Sequence, residues 1–480
     1  MNHKSKKKGE AFLSSALVYT VGLVLIRGLG FISAPIFTTL LTPEDYGLTN
    51  TFATWTLLFS TVFSLYTQGS LAAAIKDYKG QDYENYVTSS ITLSTLSFLV
   101  FNLCCLVNLT FFSRILGYSR FITVMLLVSS YTTFIFNYYQ TKLIYEGRKN
   151  EYLLTSFLVS LTSIGISYAL IKLMPADFAV DGKILGGIVP LLVATLVYMV
   201  VQYRKGKAFI SLDAWKYCLA LSIPAIFTTL ANVLLSQIAR IYLQHMSGEY
   251  EAGIYSFAFT LSEVTNFIRL GLFNAWIPWY FKHVAQGDSE GAVPRLARLS
   301  SRIFCVIVLG FIFTSPEVYK LLSPSSYWGG IPTMVYLSIG TYFSFIACFY
   351  SCRFQFFKKN RWITYVTFVS VGCNVLLNNW LIPTYASIGA AVSFAVSYVV
   401  LFLAFLVPAR KNNVEDHISG KLFLPDIVLL AAGSALYFVT AQMPVIRWII
   451  AVGLGAYLVY YGLRNKSGLL SMAGKGEAND

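Results

Sequence analysis

The feature that most constrains this chain is a succession of fourteen apolar runs, each about as long as a bilayer is thick, with only short polar breaks between them. A spanning helix needs about 20 predominantly apolar residues. Because unpaired backbone groups are costly in lipid, spanning segments of this length are helical. With 56% hydrophobic and 12% charged residues over 480 positions, what remains outside the runs is too little for a soluble domain. The expectation is an all-α polytopic membrane protein of about 14 transmembrane helices. A basic amino terminus covers 1–11, helices 1–6 cover 12–203, helices 7–12 cover 212–408, two further helices cover 423–463, and a polar tail covers 464–480. Lys4, Lys6, Lys7 and Lys8 precede the first run, which continues past signal-peptide length without a small-residue cleavage site and is read as a retained helix. The seven cysteines show neither metal-ligand nor secreted-framework spacing, so neither metal, cofactor nor disulfide is expected.

The net charge of +14 is topological. With the amino terminus inside, 27 of the 36 Lys and Arg residues fall in cytoplasmic loops and termini, against six on the outward side: Arg114, Arg120, Lys172, Lys183, Lys320 and Arg447. Such asymmetry in short loops sets orientation. It places both termini of a multi-pass protein in the cytoplasm and argues against a nucleic-acid partner. The outward loops are all short, the longest being MPADFAVDGK, about ten residues.

Four ionisable residues lie inside the spans: Arg27, Arg240, Glu263 and Arg269. Each costs about 2.5–3.5 kcal/mol on insertion scales, so such residues face a cavity or a partner. At ~100° per residue, Thr20, Arg27, Ala34 and Thr38 project within about 40° of one another. Thr229, Asn232, Ser236, Gln237 and Arg240 form a polar stripe on the seventh helix, and Ser256, Glu263, Asn266 and Asn274 another on the eighth. Glu263 and Arg269 are six positions and about 9 Å apart along the axis, so each is expected to find its partner elsewhere. Structural locking of helices and a role toward an anionic ligand both account for these arginines. The depth of Arg27, roughly 20 Å from the outward end of its helix, favours the second. Two further clusters, Asn137 to Gln140 and Asn374, Asn378 and Asn379, fit sugar contacts or interhelical hydrogen bonding equally well.

APIFTTLLTPEDYGL (34–48) resembles the first-helix signature of the polysaccharide biosynthesis flippases, within the multidrug/oligosaccharidyl-lipid/polysaccharide exporter superfamily. YTQGSLAAAIKDY (66–78), SQIARIYLQHMSGEYEAGIYSFAFTL (236–261) and NVLLNNWLIPTYASIGAAVSFAVSYV (374–399) are similar to later stretches of that family, in the same order. The chain departs where many relatives have Asp-Arg, here Ala239-Arg240, and where they have Tyr-Gly, here Tyr385-Ala386.

The resemblance implies two six-helix lobes around a central cavity with two additional helices, alternating access, and a polyprenyl-pyrophosphate-linked oligosaccharide as cargo. It also implies membrane lipids and a glycan polymerase as partners and a place in capsule, O-antigen or exopolysaccharide assembly. Related lipid-linked precursor flippases carry arginines matching Arg27 and Arg269. The expected substrate-binding set is Arg27, Arg269, Arg240, Asn266 and Gln237, with Glu263 taking up H+ or Na+ in place of the missing aspartate. A planar, permanently charged guanidinium suits pyrophosphate oxygens. The rival transporter readings are a multidrug or cation antiporter, which would want acidic rather than basic residues in the cavity, and a peptidoglycan-precursor flippase, which differs only in cargo. An enzyme is not expected, because no outward loop is long enough to hold donor and acceptor, and Glu44-Asp45 fits a helix start.

Overall fold

A computed structural model of the chain describes residues 29–287, 291–411 and 418–465. Among the described residues every regular element is helical. The order is α1 (Leu29–Leu40), α2 (Pro43–Phe63), α3 (Leu71–Asp77), α4 (Gln81–Val107), α5 (Leu109–Leu116), α6 (Arg120–Tyr145), α7 (Lys149–Leu173) and α8 (Ala179–Lys205), followed by α9 (Leu212–Met246), α10 (Glu249–Gln286), α11 (Ala292–Leu322), α12 (Thr333–Phe356), α13 (Asn360–Lys411), α14 (Leu424–Thr440) and α15 (Pro444–Arg464). Ten helices are long and apolar enough to cross a membrane, and the α2–α3 pair, bent by 58°, makes an eleventh span. α13 is two helices joined at Ala386, where the backbone leaves the helical region at φ 45°, ψ −125°. Counting its halves separately gives twelve apolar spans among the described residues, against the fourteen expected; α10 and the short α1 are the remaining helices of the expected set but are not long and apolar enough by the same measure.

The chain packs as two compact units, Met1–His245 and Met246–Asp480. α9, expected to open the second lobe, groups by its contacts with the first unit. Near its start, the Trp215 indole donates to the Ser89 carbonyl at 2.9 Å and the Tyr217 hydroxyl to Asp77 at 2.5 Å. At its other end the His245 imidazole lies 2.8 Å from the Ile115 carbonyl.

Local sequence accounts for the element starts and breaks. α2 begins with Thr42 as N-cap, its hydroxyl accepting from the Asp45 amide at 3.2 Å, with Pro43, Glu44 and Asp45 in the first turn. The acidic turn is therefore a helix start. α2 ends where Leu65 and Tyr66 adopt positive φ. The break is held from outside: the Ser94 hydroxyl on α4 donates to the Ser64 carbonyl at 2.8 Å and shares a 2.6 Å hydrogen bond with Thr67, while the Tyr86 hydroxyl donates to Ser70 at 2.6 Å. In a membrane, freed backbone groups need such partners.

In the second unit, α11 carries the two last helices. Arg302 on α11 pairs with Asp426 on α14, whose other oxygen accepts from Ser301 at 2.7 Å. Glu317, near the far end of α11, receives both terminal nitrogens of Arg447 on α15, at 2.5 and 3.2 Å. An aromatic cluster including Trp276, Phe345, Phe349, Tyr350 and Phe423 fills the space among α10, α12 and the start of α14.

Candidate functional site

The expected site residues fall into separate groups. Arg27 lies outside the described residues. In the second unit, Glu263, Asn266 and Arg269 stand one turn apart along α10. The Asn266 amide nitrogen donates to Glu263 Oε2 at 2.9 Å, and Arg269 Nε donates to Asn266 Oδ1 at 2.6 Å. Glu263 and Arg269 were expected to find partners elsewhere; instead one asparagine links them on their own helix. Asn266 does this because an amide both donates and accepts.

Arg269 Nη1 also donates to the Cys348 thiol on α12 at 3.1 Å. Among the described residues neither Arg269 nor Glu263 makes an ion pair. The guanidinium has five N–H donors, and among the described residues two are used by acceptors, one of them a weak sulfur. All three side chains are half-buried. Chemically, this is a positive group with spare, forked donors, coupled through an amide to a carboxylate.

In the first unit, Arg240 is 9% exposed and donates to the Gln237 side-chain oxygen. Of the polar stripe before it, Asn232 and Ser236 turn their hydrogen bonds back onto their own helix, to the Thr228 and Asn232 carbonyls. Sequence reasoning assigned Lys183 only to the outward side. It sits in the first turns of α8 with Nζ 3.9 Å from the Phe37 ring centroid on α1 and 4.8 Å from that of Tyr46 on α2, cation–π distances. A lysine one turn into an apolar helix is hard to tell from a loop residue by composition, because span boundaries slip by several residues.

The sequence also left other charges in loops that the fold buries. Lys142 on α6 is 2% exposed, with Nζ 2.8 Å from Glu84 on α4 and 2.8 Å from the Gln202 side-chain oxygen on α8. Gln202 closes the ring by donating to Glu84 at 2.9 Å and Thr88 at 3.1 Å. Arg302–Asp426 and Arg447–Glu317 are further cases, with Asp426 1% and Arg447 4% exposed. The count of four buried charges is thus too low: span ends can be packed against neighbouring helices as tightly as span centres.

The asparagine and tyrosine clusters resolve toward interhelical bonding. Asn374 donates to Ser397 at 3.0 Å and accepts from Asn378 at 2.9 Å. Tyr138 shares a 2.6 Å hydrogen bond with Ser90, and Gln140 donates to Thr155 at 3.0 Å.

The succession of apolar helices, the broken second span and the charges held on helix faces define a multi-pass membrane protein. The chain belongs to the family described as polysaccharide biosynthesis protein, whose model matches residues 12–284. No curated sequence matches it. Among solved structures, the fold resembles the lipid II flippase MurJ in an inward closed conformation, at TM-score 0.66 and 14% identity over 94% of this chain and 99% of that one. It also resembles a multidrug resistance MATE family transporter of the MOP superfamily, inward-facing, at TM-score 0.61 and 16% identity over 83% and 100%. A third similar structure, a MOP superfamily transporter from Pyrococcus furiosus, is described by a binding pocket of reverse polarity (TM-score 0.52, 13% identity, 88% and 96% covered). The solved structures that the fold resembles are described as a flippase and as transporters.

Proposed function

We propose that this transporter flips a polyprenyl-pyrophosphate-linked oligosaccharide repeat unit from the inner to the outer leaflet by alternating access of two lobes, with both termini cytoplasmic. The observation that carries the reading is Arg269: a half-buried guanidinium held by an amide oxygen and a thiol, with no carboxylate paired to it among the described residues. A permanent cation kept in an apolar span without a counter-ion is costly, and an anionic ligand offsets that cost. Pyrophosphate is the part common to different glycan cargos, and bidentate guanidinium–phosphate contacts are strong and directional. Arg27, Gln237 and Arg240 are proposed as further substrate contacts, and Lys183 as an additional cation.

Release needs weaker binding in one of two states. Glu263 supplies a means: taking up a proton or Na+ would change the carboxylate that Asn266 shares with Arg269. A cation antiporter would instead use Glu263, which like Arg269 is half-buried without an ion pair among the described residues.

The test is deletion of the gene followed by leaflet-resolved analysis of lipid-linked sugars. Inward-facing lipid-linked glycan should accumulate and be relieved by the native chain but not by Arg269→Ala. Absence of accumulation, with drug efflux dependent on the chain, would overturn the proposal.

A further inference from the structure

The first unit contains a second recess, on the opposite side of chemistry from the polar stripes. It lies among α6, α7 and α8, has a volume of about 440 Å³, and is walled chiefly by Leu158, Val159 and Ile166 on α7 and Pro190, Val193 and Val197 on α8. Its shape follows from sequence. At the turn joining α7 to α8 the helices touch backbone to backbone: a Cβ at Gly186 would sit 2.3 Å from the Ser167 Cα, and one at Gly182 3.2 Å from the Ile171 nitrogen. Toward the other end the lining residues are large and branched, and Pro190 interrupts the α8 hydrogen-bond ladder. Leu158, Val193 and Val197 are exposed on the unit's surface, where a membrane-spanning helix meets acyl chains.

The far end of the recess is basic. Lys142, Arg148 and Lys205 line it, and no acidic residue does. Carboxylates do approach from outside the lining: Glu84 and Glu146 contact Lys142, and Glu146 and Glu151 contact Arg148. Lys205 makes no ion pair among the described residues, and its side chain is exposed. Counting the ends of the three helices together, Lys142, Arg148, Lys149, Arg204 and Lys205 outnumber Glu146 and Glu151, and Glu84 from α4 leaves the balance positive.

A second observation points into the same recess. Tyr198 lines it, is 6% exposed, packs at a tilt on Tyr139 with ring centroids 4.4 Å apart, and its hydroxyl is buried without a hydrogen-bond partner among the described residues. A buried hydroxyl left unbonded is unfavourable and uncommon. At the basic end of an apolar recess it is placed to donate to an ester or phosphate oxygen.

We infer that this recess is a binding site for an anionic phospholipid, with one acyl chain lying along Val193, Val197 and Leu158 and the headgroup phosphate between Lys205, Arg148 and the Tyr198 hydroxyl. The combination of a basic pocket between spanning helices at the membrane–water boundary and an apolar slot leading from it is how anionic lipid headgroups are recognised. The site is independent of the α10 chain and does not rest on the proposed cargo. Its occupant fills the space between α7 and α6, which in the protein is bridged by few polar contacts, among them Gln140 to Thr155.

The test uses the purified full chain in nanodiscs and in detergent, with phosphatidylglycerol and phosphatidylcholine as probes. Native mass spectrometry should show phosphatidylglycerol retained over phosphatidylcholine by about tenfold, with one lipid bound per chain at saturation. Lys205→Gln should cut that preference about fivefold, the effect of one basic charge near the lipid surface. Tyr198→Phe should lower it several-fold without changing phosphatidylcholine retention. Val193→Trp, which fills the slot, should abolish retention of both lipids while the melting temperature in phosphatidylcholine nanodiscs stays within a few degrees of native. Should Val193→Trp fail to fold, Tyr198→Phe and Lys205→Gln carry the test alone. Equal retention of the two lipids, an unchanged preference in Lys205→Gln and Tyr198→Phe, or stoichiometric displacement by a polyprenyl phosphate would overturn the assignment, the last by making the recess part of a cargo path.

Discussion

Two cations held within helices of this molecule, one buried and one half-buried, are supported in opposite ways. Lys142, in the first unit, sits in a closed ring: it donates to Glu84 and to the Gln202 amide oxygen, Glu146 adds a second carboxylate at 3.5 Å, and Gln202 ties the ring to Thr88. Arg269, in the second, is propped by an amide and a thiol and keeps donors to spare. The first arrangement satisfies itself. In the second, the protein positions a charge without neutralising it. The difference separates charges that hold helices together from charges free to meet a ligand, and Arg302–Asp426 and Arg447–Glu317 fall with the first kind.

The largest effect that would sharpen this contrast is on stability. Lys142→Met leaves Glu84 without its main partner and should cost about 3 kcal/mol, read as a lowered thermal midpoint in detergent. Glu84→Gln combined with Lys142→Met should recover part of the loss, because the stranded charge is gone. Arg269→Ala should reduce flipping about 10- to 100-fold, the worth of one charge-assisted hydrogen-bonded contact to phosphate, while the midpoint moves little. If it destabilised the protein as much as Lys142→Met, the contrast would fail. Lys183→Gln should give a smaller, several-fold loss of flipping, since its present partners are two aromatic rings worth about 1 kcal/mol. Glu263→Gln should leave binding intact and abolish the dependence of flipping on the proton or sodium gradient, measured in vesicles with imposed gradients. Smallest is Ala386→Gly, expected to stabilise by about 1 kcal/mol, because φ 45° with ψ −125° is a conformation that glycine adopts without strain.

Ala386 also shows what could be read from the chain in advance. Its departure from the Tyr-Gly pattern was visible as a letter, and only the backbone reveals that the letter sits at a sharp corner between two spans. The helical spans were legible because apolar runs of that length admit one secondary structure in lipid. The short acidic turn at Glu44-Asp45 was legible as a helix start, and the Thr42 cap shows it. Lys142 and Glu84 were not, since the two residues stand 58 positions apart in sequence and only the fold brings them to 2.8 Å. The link from Glu263 to Arg269 was missed for a different reason: pairs were sought at helical spacings of three and four, while a spacing of six works when the residue midway both donates and accepts. Arg27 remains a reading from sequence.

The corner between α2 and α3 has a consequence for how the chain is made. The carbonyl of Ser64 receives its hydrogen bond from Ser94, thirty residues later. While the chain emerges in order, the corner exists before the neighbour that completes it, and until α4 enters the bilayer that oxygen must be served by water or by the insertion machinery. The second span therefore reaches its final shape only after the third has arrived, so nascent chains halted before residue 94 should hold residues 64–70 open to water-soluble labels that longer chains exclude.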